Sequence, residues 1–422
     1  MEINGNFTAL RENGPFSTNT LPISEKYITS AKNWIKDLSS ESRTKFTATR
    51  SLIFQLLNVN SFPEIQNIIK DEKHKDQVTE HTYGLLGQMY GIEGSKEEIK
   101  SKINEYAKTA DSVINKLREK ELSSLAAELE MVNEISSIKD PVDLLLIIFN
   151  EKYGPKARFE AKRKLVLMNL AASIDQRERE AKNEIKFNKF LDFLNEHVWE
   201  GKVGETETTY ILSDHDPDTF ACTSFKILHK EESKKIEIKQ GQKLTKISSR
   251  KFRINEREIP IYVTLRQKSK EAEILKLLRK GQENPSVAVD DDLGLFAVVE
   301  SKSRMDQFQK LLVQSATKAG SSMIFEEITD TLDDKTDNPP KIKERKFHIK
   351  TGGMRIEFIL HTTETYLNHL YQDHISHDEY EILRLFEKDI PELLFPKSIY
   401  EISMREAESK IIQQVRNKIR GK

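Results

Sequence analysis

Several things are scarce in this chain. A single cysteine, Cys222, rules out an internal disulfide and any cysteine-rich zinc centre. No stretch approaches the ~18 apolar residues that a membrane-spanning helix requires. The opening residues, Met1 to Pro22, are polar and hold no apolar signal core, so export is not expected. Net charge is almost absent: 67 Lys and Arg stand against 68 Asp and Glu, a balance of −1. That argues against a general nucleic-acid coat, although local basic patches survive such averaging. There is no Walker-type glycine loop, no Gly-x-Gly-x-x-Gly and no convincing internal repeat. A reduced, cytoplasmic setting away from membranes fits these absences.

What is present is ample. With 422 residues, 37% hydrophobic and 32% charged, the chain is long enough for two or three domains and too apolar for wholesale disorder. Up to about Gly201 the period is helical. Ser95 and Glu98 form a capping box, after which Ile99, Ile103, Tyr106, Ala110, Val113 and Leu117 recur at spacings of four and three. Asp140-Pro141 is a favoured start for a helix running through Leu144 to Phe149, and a long pattern follows Pro155 to about Trp199. These stripes read as the core of a helical bundle.

Near Gly201 the character changes. Thr208 to Ile211 suggest a strand and His215-Asp216-Pro217-Asp218 a turn. From His229 to Lys251 there are eight Lys or Arg and three Glu, which reads either as a solvated hairpin or as a basic ribbon for a phosphate-bearing partner. From Ile261 onward strand and helix periods alternate. Strands are expected at Ile261–Arg266, Leu295–Val299, Met323–Thr329, Lys346–Lys350 and Met354–His361, with helices at about 269–280 and 304–319. The whole reads as α+β: an N-terminal helical bundle, then a mixed sheet with helices on one face and the other face open to ligands.

The strand from Arg355 alternates. Ile356, Phe358 and Leu360 suit a core, while Arg355, Glu357 and Ile359 form the opposite side. Arg266 sits on the polar side of its own strand. If the two polar sides coincide, one face gathers Arg266, Glu357 and the aspartate turn Asp290-Asp291-Asp292. Such a turn either lies on the surface beside a basic helix or holds a cation against its own repulsion, and hard oxygens near phosphates suit Mg²⁺. His369, His374 and His377 with Asp373 and Asp378 are metal-ligand types without a fixed two-histidine motif, so a polar helical segment is expected there. Ser376 and Glu379 form a second candidate capping box.

These residues resemble a known family. Arg266-x-Lys268 with Lys276 eight residues after Lys268, then Asp291-Asp292-Leu293-Gly294, then Glu357-Phe358-Ile359-Leu360-His361-Thr362, and finally Ser376 to Glu381 follow the order of motifs in the RelA/SpoT-type alarmone synthetase domain. The resemblance covers about Ile261 to Leu385. It implies a nucleotidyltransferase-like fold and a pyrophosphokinase activity that moves the β,γ-diphosphate of ATP to the 3′-hydroxyl of a nucleotide or RNA acceptor. By position it makes Asp291 and Glu357 the catalytic and Mg²⁺-binding residues, and Arg266, Lys268 and Lys276 the phosphate-binding ones. Three differences stand out. Phe296 occupies the place of a family arginine, Ile359 that of a glutamine, and the family's Gly-Tyr-x-Ser-x-His loop is not recognisable, although His348 lies at a comparable place. Tyr262 and Phe347 are the candidates to supply a stacking surface in place of the missing tyrosine, with ordinary packing the expected use of either.

The expected organisation is thus an α-helical regulatory or partner-binding domain over 1–200, a β-rich basic linker over 201–255, a synthetase-like domain over 256–400 and a basic helix over 401–422. Two further readings stay open: a catalytically degenerate module that binds nucleotide or RNA, and an interaction protein built on the helical bundle.

Overall fold

The computed structural model describes residues 39–122, 135–181, 183–198, 207–254, 257–281, 293–320, 323–333, 342–351 and 354–421. In chain order the helices α1 (Ser40–Leu56), α2 (Phe62–Lys70), α3 (Glu72–Met89), α4 (Lys96–Lys116), α5 (Pro141–Phe149), α6 (Pro155–Ala181) and α7 (Asn183–His197) come first. They are followed by β1 (Glu207–His215), β2 (Cys222–Leu228), the single turn α8 (Lys230–Ser233), β3 (Gln242–Ile254), β4 (Arg257–Gln267) and α9 (Lys270–Lys280). Next are β5 (Leu293–Val299), α10 (Lys302–Lys318), β6 (Ile324–Asp330), β7 (Arg345–Thr351) and β8 (Met354–Thr362). The chain closes with α11 (Thr363–Tyr371), α12 (His377–Glu387), α13 (Ile390–Leu394), α14 (Lys397–Tyr400) and α15 (Met404–Arg420). The protein is a mixed α+β structure.

The chain forms two units that interleave in sequence. The first takes residues 1–177, 269–288 and 385–411; the second takes 178–268, 289–384 and 412–422.

The first unit is helical and its starts are set locally. The Ser95 side chain accepts the Glu98 amide while the Glu98 carboxylate accepts the Ser95 amide at 2.7 Å, satisfying two orphan donors of α4. Asp140 accepts the Val142 amide at 2.8 Å and Pro141 fills the first turn of α5, where its missing N–H costs nothing. The expected stripe of α4 is buried at Ile103, Tyr106, Ala110, Val113 and Leu117. At the centre of this unit Arg163, 2% exposed, lies over the rings of Phe159, Phe395 and Tyr400. It donates to the Leu394 carbonyl and to the Tyr400 hydroxyl, which in turn donates to Glu160. A buried guanidinium is tolerated because its donors and its charge are met together.

The second unit is built on one eight-stranded sheet in the order β2-β1-β3-β4-β5-β8-β7-β6. Every neighbouring pair is antiparallel except β5 and β8, which run parallel. The core lies on one face. Ile261, Leu295, Ala297, Val299, Phe347, Ile349, Ile356, Phe358 and Leu360 pack there against Phe190 and Leu194 of α7 and Met305, Phe308 and Leu312 of α10. The alternation of β8 is therefore as expected, and Phe347 is spent on packing, stacked on Phe358 with centroids 5.2 Å apart.

The opposite face is not wholly open, contrary to expectation. Helix α11 lies on it and packs Leu367, Tyr366 and Tyr371 against Ile211, Ile247, Val298 and Phe296. A sheet face bearing those apolar side chains must be covered, and the short amphipathic helix after β8 is the cover.

Candidate functional site

The strand register builds the site. Arg266 of β4 pairs with Gly294 of β5, Gly294 with Glu357 of β8, Glu357 with His348 of β7, and His348 with Glu326 of β6. Residues directly opposite one another share a face. One row across five neighbouring strands thus carries Arg266, Glu357, His348 and Glu326, on the side away from the α7–α10 core. Gly294, itself buried, contributes no side chain between Arg266 and Glu357. With strands about 4.8 Å apart, those two backbones are about 10 Å apart.

Around Glu357 the charges are packed closely. Glu357 is 4% exposed and its Oε1 pairs with the Lys346 ammonium. The His348 Nε2 stands 3.9 Å from the same oxygen, and the His348 Nδ1 stands 3.3 Å from Glu327 Oε2. Arg355 donates to Glu327 at 2.6 Å. Glu327 has φ +52°, a left-handed conformation unfavourable for a glutamate, and sits where the β6–β7 register shifts. The bulge turns this carboxylate toward His348 and Arg355, which compensates the local strain. Burial holds the His348 imidazole below the usual histidine range, and the Arg355 charge adds to this.

Beyond Gly294 the same face becomes aromatic. Phe296 lies 5.0 Å from His361, 5.4 Å from Tyr366 and 5.8 Å from His369, centroid to centroid. His361, His369 and His377 follow one another at 5.0 and 5.4 Å. His361 is 0% exposed and burial pushes its pKa down to about 3, with His369 adding to the shift. Phe296 therefore supplies packing where the resembling family has a phosphate-binding arginine.

The five expected site residues are distributed unevenly. Arg266 and Glu357 fall in one row, and Lys268 follows directly at the end of β4. Lys276 is buried on α9, a helix of the first unit, so it is assigned to a different unit from the row. Asp291 lies outside the described residues. His348 and Lys346 were not assigned roles by sequence, yet they flank Glu357. The signal was available: Thr351 pairs with Met354, and equal steps back from that pair along β7 and β8 place His348 opposite Glu357.

Near Glu379 the structure corrects the sequence. No second capping box forms: Ser376 is buried with its hydroxyl unbonded, and Glu379 instead accepts the His374 amide and the Arg416 guanidinium. Asp373 is claimed by Arg420 at 2.6 Å. A tertiary ion pair with the last helix has displaced a local cap.

For Mg²⁺, Glu357 is the carboxylate nearest Arg266 in the row and is already paired with an ammonium, while Glu326 and Glu327 stand beside the Arg355 guanidinium. No group of three or more His, Cys, Asp or Glu able to hold a metal occurs among the described residues. On that donor set alone they do not fit a metal centre; a second carboxylate would have to come from Asp291. A cleft of about 620 Å³ exists in the first unit, lined by residues including Lys108, Asp111, Ser112, Lys116 and Glu271. Two of its polar groups are already engaged, Asp111 by Lys164 at 2.7 Å and Glu271 by Ser112 at 2.6 Å, so the row on the sheet is the better-founded site. No helix among the described residues is long and apolar enough to cross a membrane. No known family model matches this chain, and neither a curated protein nor a solved structure is significantly similar to it.

Proposed function

We propose that the second unit is a divergent RelA/SpoT-like pyrophosphotransferase with a nucleotidyltransferase-like sheet, working in the cytoplasm. It would move the β,γ-diphosphate of ATP to the 3′-hydroxyl of a nucleotide or RNA acceptor. One observation carries the reading: Arg266 and Glu357 share a row across the sheet with only Gly294 between them. The motif order alone could not have required that.

The chemistry asked of the chain is modest. Transfer of a phosphoryl-type group depends on positioning and charge neutralisation more than on covalent help. Arg266 and Lys268 would hold donor phosphates beside Gly294. Glu357, oriented by Lys346, would receive the proton of the 3′-hydroxyl as its oxygen bonds the β-phosphorus and AMP departs. By the resemblance, Asp291 and Glu357 would be the residues to hold magnesium, whose chemistry there would be further neutralisation of the phosphates. The helical unit would regulate this activity or dock a partner.

The second reading is a binding module without turnover. It is favoured by the Glu357–Lys346 pair, which occupies the carboxylate a catalyst would use, and by the packing role of Phe296. Labelled ATP, Mg²⁺ and a panel of nucleotides and tRNA decide between the two. A diphosphate-bearing product that disappears in Glu357→Gln and Asp291→Asn, with unchanged circular dichroism, supports the enzyme. Nucleotide affinity without product, lost in Arg266→Ala, replaces it with the binding module, and no nucleotide affinity at all removes both.

A further inference from the structure

The end of the sheet away from Glu357 carries a second surface. On β1, Ile211 and Ser213 face α11, so Thr208, Tyr210 and Leu212 face the other way. Tyr210 stands opposite Lys246 of β3 and Leu228 of β2, Leu212 opposite Lys226 of β2, and Thr208 opposite Ser248 of β3. Tyr210 and Leu212 are half-buried, while Lys226, Lys246 and Ser248 are exposed. Among the described residues, neither lysine pairs with an acid, and the Tyr210 ring makes no hydrogen bond or ring contact.

Charge singles out this end. Cys222 to Lys251 holds nine Lys or Arg and three Glu, within a chain whose net charge is −1. The one acid of β1 on this face, Asp214, accepts from Ser224 at 2.6 Å and from Gln242 at 2.8 Å. It marks the end least hospitable to phosphate, so a polyanion is favoured on the side running from Leu212 toward Ser248.

We propose that this face binds single-stranded RNA, with a base stacked on Tyr210 and backbone phosphates on Lys226 and Lys246. A partly exposed ring flanked by unpaired ammonium groups suits an unpaired base and its phosphates. A flat sheet cannot enter the deep, narrow major groove of duplex RNA, and stacking on a side chain needs a base free of its partner. The facing hydroxyls of Thr208 and Ser248 beside Tyr210 offer donors and acceptors for a 2′-hydroxyl, which DNA lacks. The site stands on the opposite face of the sheet from Glu357 and does not rest on the catalytic reading.

The test uses the full chain and a fluorescein-labelled 12-nucleotide single-stranded RNA, followed by anisotropy across a salt series. Saturable binding is expected, tighter than to DNA of the same sequence or to duplex RNA. Lys226→Glu with Lys246→Glu is expected to cost at least tenfold and to flatten the log–log salt slope by about 1.4, at about 0.7 for each phosphate no longer neutralised. Tyr210→Ala is expected to cost between about 5-fold and 150-fold, the range of one base–aromatic stack, and Tyr210→Phe to retain affinity. The proposal is overturned by no saturable binding, by equal affinity for DNA, or by lysine variants that bind normally. Sedimentation showing that the lysine substitutions convert a dimer to a monomer would overturn it in favour of a second copy on this face.

Discussion

Acidification should unfold the sheet through one imidazole. His361 on β8 is 0% exposed, its Nε2 has no hydrogen-bond partner, and Glu344 stands 3.5 Å away without bonding it. Burial, with the neighbouring His369 adding to it, holds the folded-state pKa at about 3, against about 6.5 in the unfolded chain. A depressed histidine contributes stability that is fully present above the unfolded value and is lost as pH falls toward the folded one. Between pH 7 and pH 5 the unfolded chain takes up the proton and the folded one does not. At 1.36 kcal/mol per pH unit, that costs about 2 kcal/mol. For a unit of this size it corresponds to a fall in Tm of about 4–8 °C. His361→Phe places a neutral ring beside Phe296 and removes the titration. Thermal melts of both proteins at pH 7 and pH 5, followed at the β-sheet amide I band, isolate the effect, because the remaining groups titrate alike in each. Equal pH-dependent losses in the two proteins would refute the reasoning.

Four other outcomes follow from the geometry. Ser376→Ala should leave stability unchanged or slightly raise it, since its buried hydroxyl bonds nothing; a loss of about 1 kcal/mol in chemical denaturation would restore the capping box. Asp140→Ala should cost about 1 kcal/mol by the same measurement, because its carboxylate caps α5. Arg345→Met should cost about 3 kcal/mol, read from the urea midpoint. Its guanidinium bonds Asp306 at 2.6 Å and Asp330 at 2.8 Å, and the cost stays at the lower end because Asp306 is 55% exposed and can return to water. Lys346→Ala should weaken any pyrophosphotransfer through kcat while leaving ATP affinity within a few-fold, since the lysine touches Glu357 rather than the row position of Arg266.

Much of this architecture is written locally. The capped starts of α4 and α5, the turn after β1 and the alternation of β8 are all set by neighbours a few residues away, and each is found where the sequence places it. The register of β7 on β8 is equally local, with Thr351 paired to Met354 close by in sequence. What sequence could not supply is pairing between distant segments. Nothing in Thr363–Tyr371 announces that Leu367 will cover Ile211 and Ile247. Nothing in Ser376-x-x-Glu379 reveals that Arg416 will take the glutamate. The candidate site was legible as a set of residue types in order, and Arg266 and Glu357 do meet in one row. The ion pair that occupies Glu357 joins neighbouring strands β7 and β8 and depends on side-chain conformation across them, which periodicity does not encode.

The interleaving of the two units limits how this protein can be dissected. A fragment ending near residue 200 would lack residues 269–288 and 385–411, which complete the helical unit, and so would lose Leu394 and Tyr400, the partners of Arg163. The guanidinium would then keep only the Phe159 ring of its three and lose the acceptors at Leu394 and Tyr400, and the fragment would report its own collapse rather than the behaviour of the intact helices. Single substitutions in the whole chain are the instrument this topology permits; a cut anywhere from residue 178 to residue 411 parts segments that belong to one unit, and a cut between 268 and 385 does so to both.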